Sequence, residues 1–202
     1  MTVKPFLTLK KFACQEIIER KSRFIAYAAP IETEVLAKDF IDSIRSRHRD
    51  ATHHVYAYQI GVNNQLQRSC DDGEPAGTAG RPVLEAIKKA GLQNAIVVVT
   101  RYFGGILLGA GGLTRVYGKA AALVLPFCGI VERIDAHRYQ LVFDYHFLGK
   151  IEAWFAKKGY LAEDKIYTDK ISFSFLIPWG QEQQVASELA DLSGGLVHML
   201  DL

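Results

Sequence analysis

Apolar and polar positions along this 202-residue chain recur with two periods, and the periods divide it into strands and helices. Residues 12–18 and 23–28 are rich in β-formers and flank the charged turn Glu19-Arg20-Lys21-Ser22, which predicts a hairpin. Over residues 32–47, Val35, Leu36, Phe40, Ile41 and Ile44 fall at helical spacing, and the run passes from acidic residues to Arg45 and Arg47, as a helix dipole favours. The pattern predicts a helix with those five residues on its buried face. Residues 53–60 suit a strand, and a turn over 61–64 leads to another over 65–70. A helix is expected over 82–90, stopped by Gly91. The run AIVVVT over 95–100 reads as a strand covered on both faces, and a helix over 113–125 closes at Pro126.

The stretch around Glu132-Arg133-Ile134-Asp135 is polar between two apolar runs and predicts a domain crossing within 129–137, hence domains over 1–134 and 135–202. After it come strand 139–145, helix 147–158, strands 160–167 and 170–177, helix 181–192 and strand 196–200. That βαββαβ order is the ferredoxin-like pattern, and the chain as a whole reads as α+β.

Composition supports an ordered chain, since 49% hydrophobic residues exceed what disordered segments contain. The longest nearly apolar stretch, 120–131, is broken by Pro126 and Gly129 and falls short of the ~20 residues that span a bilayer. The N-terminus lacks the apolar core and cleavage site of a signal peptide, so a cytoplasmic location is expected. Cys14, Cys70 and Cys128 are far apart and without CxxC spacing, which predicts reduced thiols and no zinc site. The formal net charge of +2 conceals an asymmetry: residues 1–134 hold 18 Lys+Arg against 12 Asp+Glu, whereas 135–202 hold 6 against 10. A basic first half attracts polyanions, and an acidic second half repels them.

Ten of the 17 glycines lie between Gly73 and Gly118, where candidate chemistry concentrates. The first segment, DDGEPAGTAGRP over 71–82, sets Asp71, Asp72 and Glu74 before a small-residue loop that feeds a helix. Amides at that helix start are a candidate anion site, with Thr78 or Arg81 adding a side-chain contact; equally, Asp71-Asp72-Gly73 can be a tight turn. The three carboxylates are also a candidate acidic or metal cluster, although their spacing matches no strong ligand motif, and no cofactor is expected. The second segment, RYFGGILLGAGGLTRVYGK over 101–119, has three cations and no carboxylate. It nominates Arg101, Tyr102, Gly104, Gly105, Gly111, Gly112, Thr114, Arg115 and Lys119, with Arg81, as a nucleic-acid-binding set. In that set Arg101 and Arg115 grip phosphate, and Tyr102 or Phe103 stacks on a base. The competing reading puts Tyr102, Phe103 and Leu107 in the core. The glycines fit neither GxGxxG nor GxxxxGK[ST], so nucleotide loops are disfavoured. His53 and His54, adjacent in a strand, point to opposite faces.

The strings DDGEPAGTAGRP and RYFGGILLGAGGLTRVYG resemble the hallmark motifs of the IMPACT family, and the whole layout resembles its bacterial YigZ-like branch. The resemblance implies a first domain folded like the second domain of small-subunit ribosomal protein five and the fourth domain of elongation factor G. It also implies a ferredoxin-like second domain similar to the fifth domain of elongation factor G. Binding to RNA or the ribosome and regulation of translation are the implied function, without catalytic residues to carry over. A hydrolase using Asp71, Asp72 or Glu74 is the alternative of a different class. A third is a protein-interaction module that docks a partner through its acidic C-terminal domain.

Overall fold

The computed structural model describes residues 5–61 and 65–202, and its backbone divides into a unit over 6–133 and a unit over 134–202. The expected turn over 61–64 falls largely outside the described residues.

In the first unit, strands β2 (Ala13–Glu19), β3 (Ser22–Pro30), β4 (His53–Ile60), β5 (Leu66–Cys70) and β6 (Ala95–Tyr102) form an antiparallel sheet in the order β2-β3-β6-β4-β5. Because side chains alternate across a strand, β3 and β6 serve two cores at once. Phe24, Ala26, Ala28, Val97 and Val99 pack against helices α2 (Gly80–Lys89) and α3 (Gly109–Val124). On the other face Ile25, Tyr27, Ala29, Ile96 and Val98 meet α1 (Glu34–Arg47). This double coverage is why β6 is apolar along almost its whole length. Each valine or isoleucine side chain so enclosed contributes about 1.5–3 kcal/mol.

Helix α1 begins at an N-cap, Thr33, whose hydroxyl accepts the Leu36 N–H at 3.2 Å, and it ends with Arg45 and Arg47 in its last turn. Its buried row is Ala37, Ile41 and Ile44. Val35 and Leu36, expected on that face, are 70% and 50% exposed. The small Ala37 lets the helix lie close to the sheet and sets the contact line one position away from them. Helix α3 starts at Gly109 rather than at 113, so its first turn is made of small residues.

The expected crossing over 129–137 is partly a strand. Strand β1 (Phe6–Leu9) pairs antiparallel with β7 (Ile130–Arg133), Phe6 opposite Arg133 and Leu9 opposite Ile130. The ladder overrides the local polarity of 132–133.

The second unit runs β8 (Ala136–Phe143), α4 (Leu148–Lys158), β9 (Glu163–Tyr167), β10 (Ile171–Pro178), α5 (Glu182–Ser193) and β11 (His198–Asp201). Its antiparallel sheet has the order β11-β8-β10-β9, the ferredoxin-like arrangement. Leu141, Phe143, Phe173 and Phe175 cover one sheet face and pack on Ile151, Phe155, Val185 and Leu189 of the two helices. Gly159 and Gly194, both in the left-handed region, end α4 and α5. Glu188 ties these helices together, accepting from Lys158 at 2.6 Å and from the Trp154 indole at 3.0 Å.

Candidate nucleic-acid interface

The first glycine-rich segment is bound to itself. Asp71 follows β5, and its carboxylate accepts the backbone N–H groups of Gly77 at 2.8 Å, Ala79 at 3.0 Å and Gly80 at 2.8 Å. It thus occupies the anion site at the start of α2 that the sequence offers to an outside ligand. Burial works to raise its pKa, but the three amide donors outweigh burial and hold it below the usual carboxylate value. Thr78 is likewise engaged, donating to the Pro75 carbonyl at 2.7 Å.

The acidic cluster expected here does not converge, so the candidate metal or acid–base set of Asp71, Asp72 and Glu74 is corrected. Asp72 turns towards α1, accepting from Arg45 at 2.9 Å and from the His54 N–H at 2.6 Å. Glu74 turns into the core, accepting from Arg101 at 2.6 Å and from the Tyr117 hydroxyl at 2.7 Å. Burial, with the bond to Glu74, pushes the Tyr117 phenol far above its ordinary range. Each carboxylate has its own partners, and among the described residues no group of three His, Cys, Asp or Glu is placed to hold a metal.

Arg101 is the second correction. It sits opposite Phe24 of β3 and His53 of β4, on the face that meets α2 and α3, and is only 5% exposed. Its guanidinium lies over the rings of Phe24 and Phe103, with centroids at 5.3 and 5.4 Å, and is neutralised by Glu74. A cation so enclosed supports the fold and does not grip a phosphate. Tyr102, one residue on, points to the other sheet face, where its hydroxyl bonds to His48 Nδ1 at 2.7 Å and its ring lies under Arg23. It does not share a surface with Arg81 or Arg115. Leu107, which the core reading had placed inside, is 79% exposed.

The glycines separate by role. A Cβ on Gly104 would stand 2.0 Å from the backbone of Lys21, and its N–H donates to Ser22 Oγ at 3.1 Å; this glycine lets the segment lie on the β2–β3 turn. Gly105 is exposed with a positive φ of 81°. Gly111 and Gly112 lie in the first turn of α3, where no side chain caps the helix and no acidic residue is present.

What the structure brings together is a face made by α2 and α3. Between them runs a groove of about 740 Å³ lined by Arg81, Glu85, Lys89, Thr114, Gly118 and Ala122, among others. Arg81 and Lys89 come from one side of α2; Arg115 and Lys119 are exposed on α3, one residue beyond the groove-lining Thr114 and Gly118. Among the described residues no carboxylate lies within ion-pair distance of Arg81, Lys89, Arg115 or Lys119, whereas Lys88 pairs with Glu85 at 3.6 Å. Lys89 is absent from the set expected from sequence. Its signal is the i, i+4, i+8 spacing of Arg81, Glu85 and Lys89, which becomes visible once α2 is started at Gly80 instead of residue 82.

Comparison with known proteins agrees with the motifs. Residues 20–125 match the family described as the Impact N-terminal domain, and residues 141–196 match a domain of unknown function, DUF1949. The chain is 40% identical over 190 residues to the IMPACT family member YvyE of Bacillus subtilis, covering 94% of this chain and 88% of that one. It is 35% identical over 183 residues to the IMPACT family member YigZ of Escherichia coli, covering 90% of each. A crystal structure described as that of a hypothetical protein superposes with a TM-score of 0.70 at 32% identity, covering 98% of both chains.

Proposed function

On the premise that the chain belongs to the IMPACT family, we propose that it binds RNA or the ribosome through the α2–α3 face and acts in the regulation of translation. The observation that carries this reading is the set of four unpaired cations, Arg81, Lys89, Arg115 and Lys119, carried by the two helices that line one groove, together with the uncapped amides that open α3. Phosphates meet both a helix N-terminus and mobile positive charge there, with little competing carboxylate. Placing that polyanion in the translation apparatus follows what the motif resemblance implies, domains like those of small-subunit ribosomal protein five and elongation factor G. The acidic C-terminal unit, with 6 Lys+Arg against 10 Asp+Glu over residues 135–202, is proposed to meet a protein partner rather than RNA.

The test is affinity for single-stranded RNA against salt concentration. Replacing Arg81, Arg115 and Lys119 together by alanine removes three phosphate contacts and is expected to flatten the log–log salt slope by about 2, at ~0.7 per contact. Salt-insensitive binding by the wild type, or an unchanged slope in the triple variant, would count against the reading. Ribosome co-sedimentation before and after nuclease treatment separates RNA from protein recognition.

A further inference from the structure

A second cavity, of about 370 Å³, lies on the other side of the first turns of α3: Leu113 lines it, while Thr114 lines the α2–α3 groove. Its walls are largely apolar, from Pro75, Phe103, Leu107 and Leu108, and its floor is polar, from His53, Glu74 and Arg101. Strand register sets the floor, since His53 on β4 stands directly opposite Arg101 on β6.

The hydrogen-bonding pattern of the floor is defined by the bonds already made. His53 Nδ1 bonds to the Asp72 carbonyl oxygen at 2.7 Å, and a carbonyl can only accept, so the proton is on Nδ1. In the neutral imidazole Nε2 is then an acceptor, and it stands 3.9 Å from Glu74 Oε1. Arg101 and Tyr117 both donate to that Oε1, so the bonds of this network leave Oε2 of Glu74 as a second acceptor. The third group is a donor: Arg101 Nε–H is buried and has no hydrogen-bond partner. The guanidinium carbon stands 5.4 Å from the Phe103 ring centroid, and Phe103, 46% exposed, is the ring next to it that solvent reaches.

Glu74 and Arg101 cancel each other's charge, so this floor suits neither a phosphate nor a divalent cation. An apolar slot with a polar floor of no net charge fits a planar ring with a hydrogen-bonding edge. Among the RNA bases, guanine presents two adjacent donor groups, N1–H and N2–H, beside one acceptor, O6. Adenine, cytosine and uracil each present a single donor group on that edge. Two acceptors and one unpartnered donor are the complement of guanine.

We infer that this cavity binds a single unpaired guanine base. N1–H and N2–H donate to Glu74 Oε2 and His53 Nε2, and the Phe103 ring lifts to stack on the base and uncovers Arg101 Nε–H for O6. The inference rests on the RNA reading of the neighbouring face only for delivery of the base, so a mononucleotide tests it independently.

Guanosine monophosphate titrated into the full chain should shift the ring resonances of His53 and Phe103, with uridine monophosphate leaving them in place. In a second arm, one central guanine in a ten-residue oligouridylate should tighten binding about tenfold, and inosine at that position should lose most of the gain. His53→Phe should abolish the guanine preference without altering the salt slope for oligouridylate. Phe103→Ala, at an exposed position, provides the same comparison should the first variant fold poorly. No ring shift with guanosine monophosphate, together with equal affinity for the two oligonucleotides, would overturn the inference. Guanine-blind RNA binding with a steep salt slope would remove the pocket and leave the cationic face; a ring shift without RNA binding would do the reverse.

Discussion

The two glycine-rich segments of the N-terminal unit resemble each other in composition and differ in what surrounds their amides. Each leads a chain of small residues into a helix. Over 71–82 the chain supplies its own anion, because Asp71 occupies the start of α2 with three amide bonds. Over 101–119 it supplies none, and α3 opens without a side-chain cap. The lesson is that a helix start is an open anion site only when the chain has not already filled it. Glycine content alone does not distinguish the two cases.

The strongest way to break this comparison is at the ion pair linking the segments. Arg101→Ala leaves Glu74 buried without its cation and is expected to cost about 3–5 kcal/mol in denaturant unfolding. A loss below about 1 kcal/mol would show that Arg101 is not the internal support described here. Next, Gly104→Ala forces a methyl group against the Lys21 backbone, where the space is 2.0 Å. Its cost should reach about 3 kcal/mol, the upper end for overpacking, with a lowered melting temperature as the readout.

Asp71→Ala should be somewhat milder, about 2 kcal/mol, because water reaches part of the loop and replaces some of the lost bonds. Its signature is in the pH dependence. The folded carboxylate is held below its unfolded value of about 3.9, so its stabilisation is complete above that pH and fades as pH falls through the folded value. The variant's stability curve should therefore lose part of the wild type's acid limb and keep its shape near neutrality.

The smallest effect sharpens the comparison by having two signs. Gly111 has nothing within 4 Å of an added Cβ, so Gly111→Ala should stabilise helix α3 by about 0.5–1 kcal/mol. In the proposed binding mode the same methyl group stands where a phosphate would approach the α3 amides, so RNA affinity should fall. Higher stability with unaltered RNA affinity would take those amides out of the interface.

Much of the architecture was legible from periodicity. The period-2 runs and the unbroken apolar run of β6 anticipate a sheet covered on both faces, and the βαββαβ order anticipates the C-terminal unit. The β1–β7 pair was not legible, because its strands are four residues each and lie more than 120 positions apart. The buried row of α1 was misplaced because Val35 and Leu36 obey the helical period as well as Ile41 does; only the sheet beneath chooses between them. Within the candidate site, Arg115 and Lys119 were recognisable as cations on a small-residue helix and Arg81 as a cation just before a helix, whereas Arg101 carried a similar local signal and proved internal.

By itself, then, the sequence determined most of the elements, the basic and acidic halves and the family, since these follow from local period, net charge and motif. Which charges are free was decided by tertiary structure alone. Arg101 meets Glu74 across 27 positions of chain and Asp72 meets Arg45 across another 27, through strand register and loop return that no local pattern encodes. Electrostatic availability depends on distance in space, and here the fold consumes the most conspicuous charges of the two motifs and leaves the plainer ones of α2 and α3 exposed without an ion pair among the described residues.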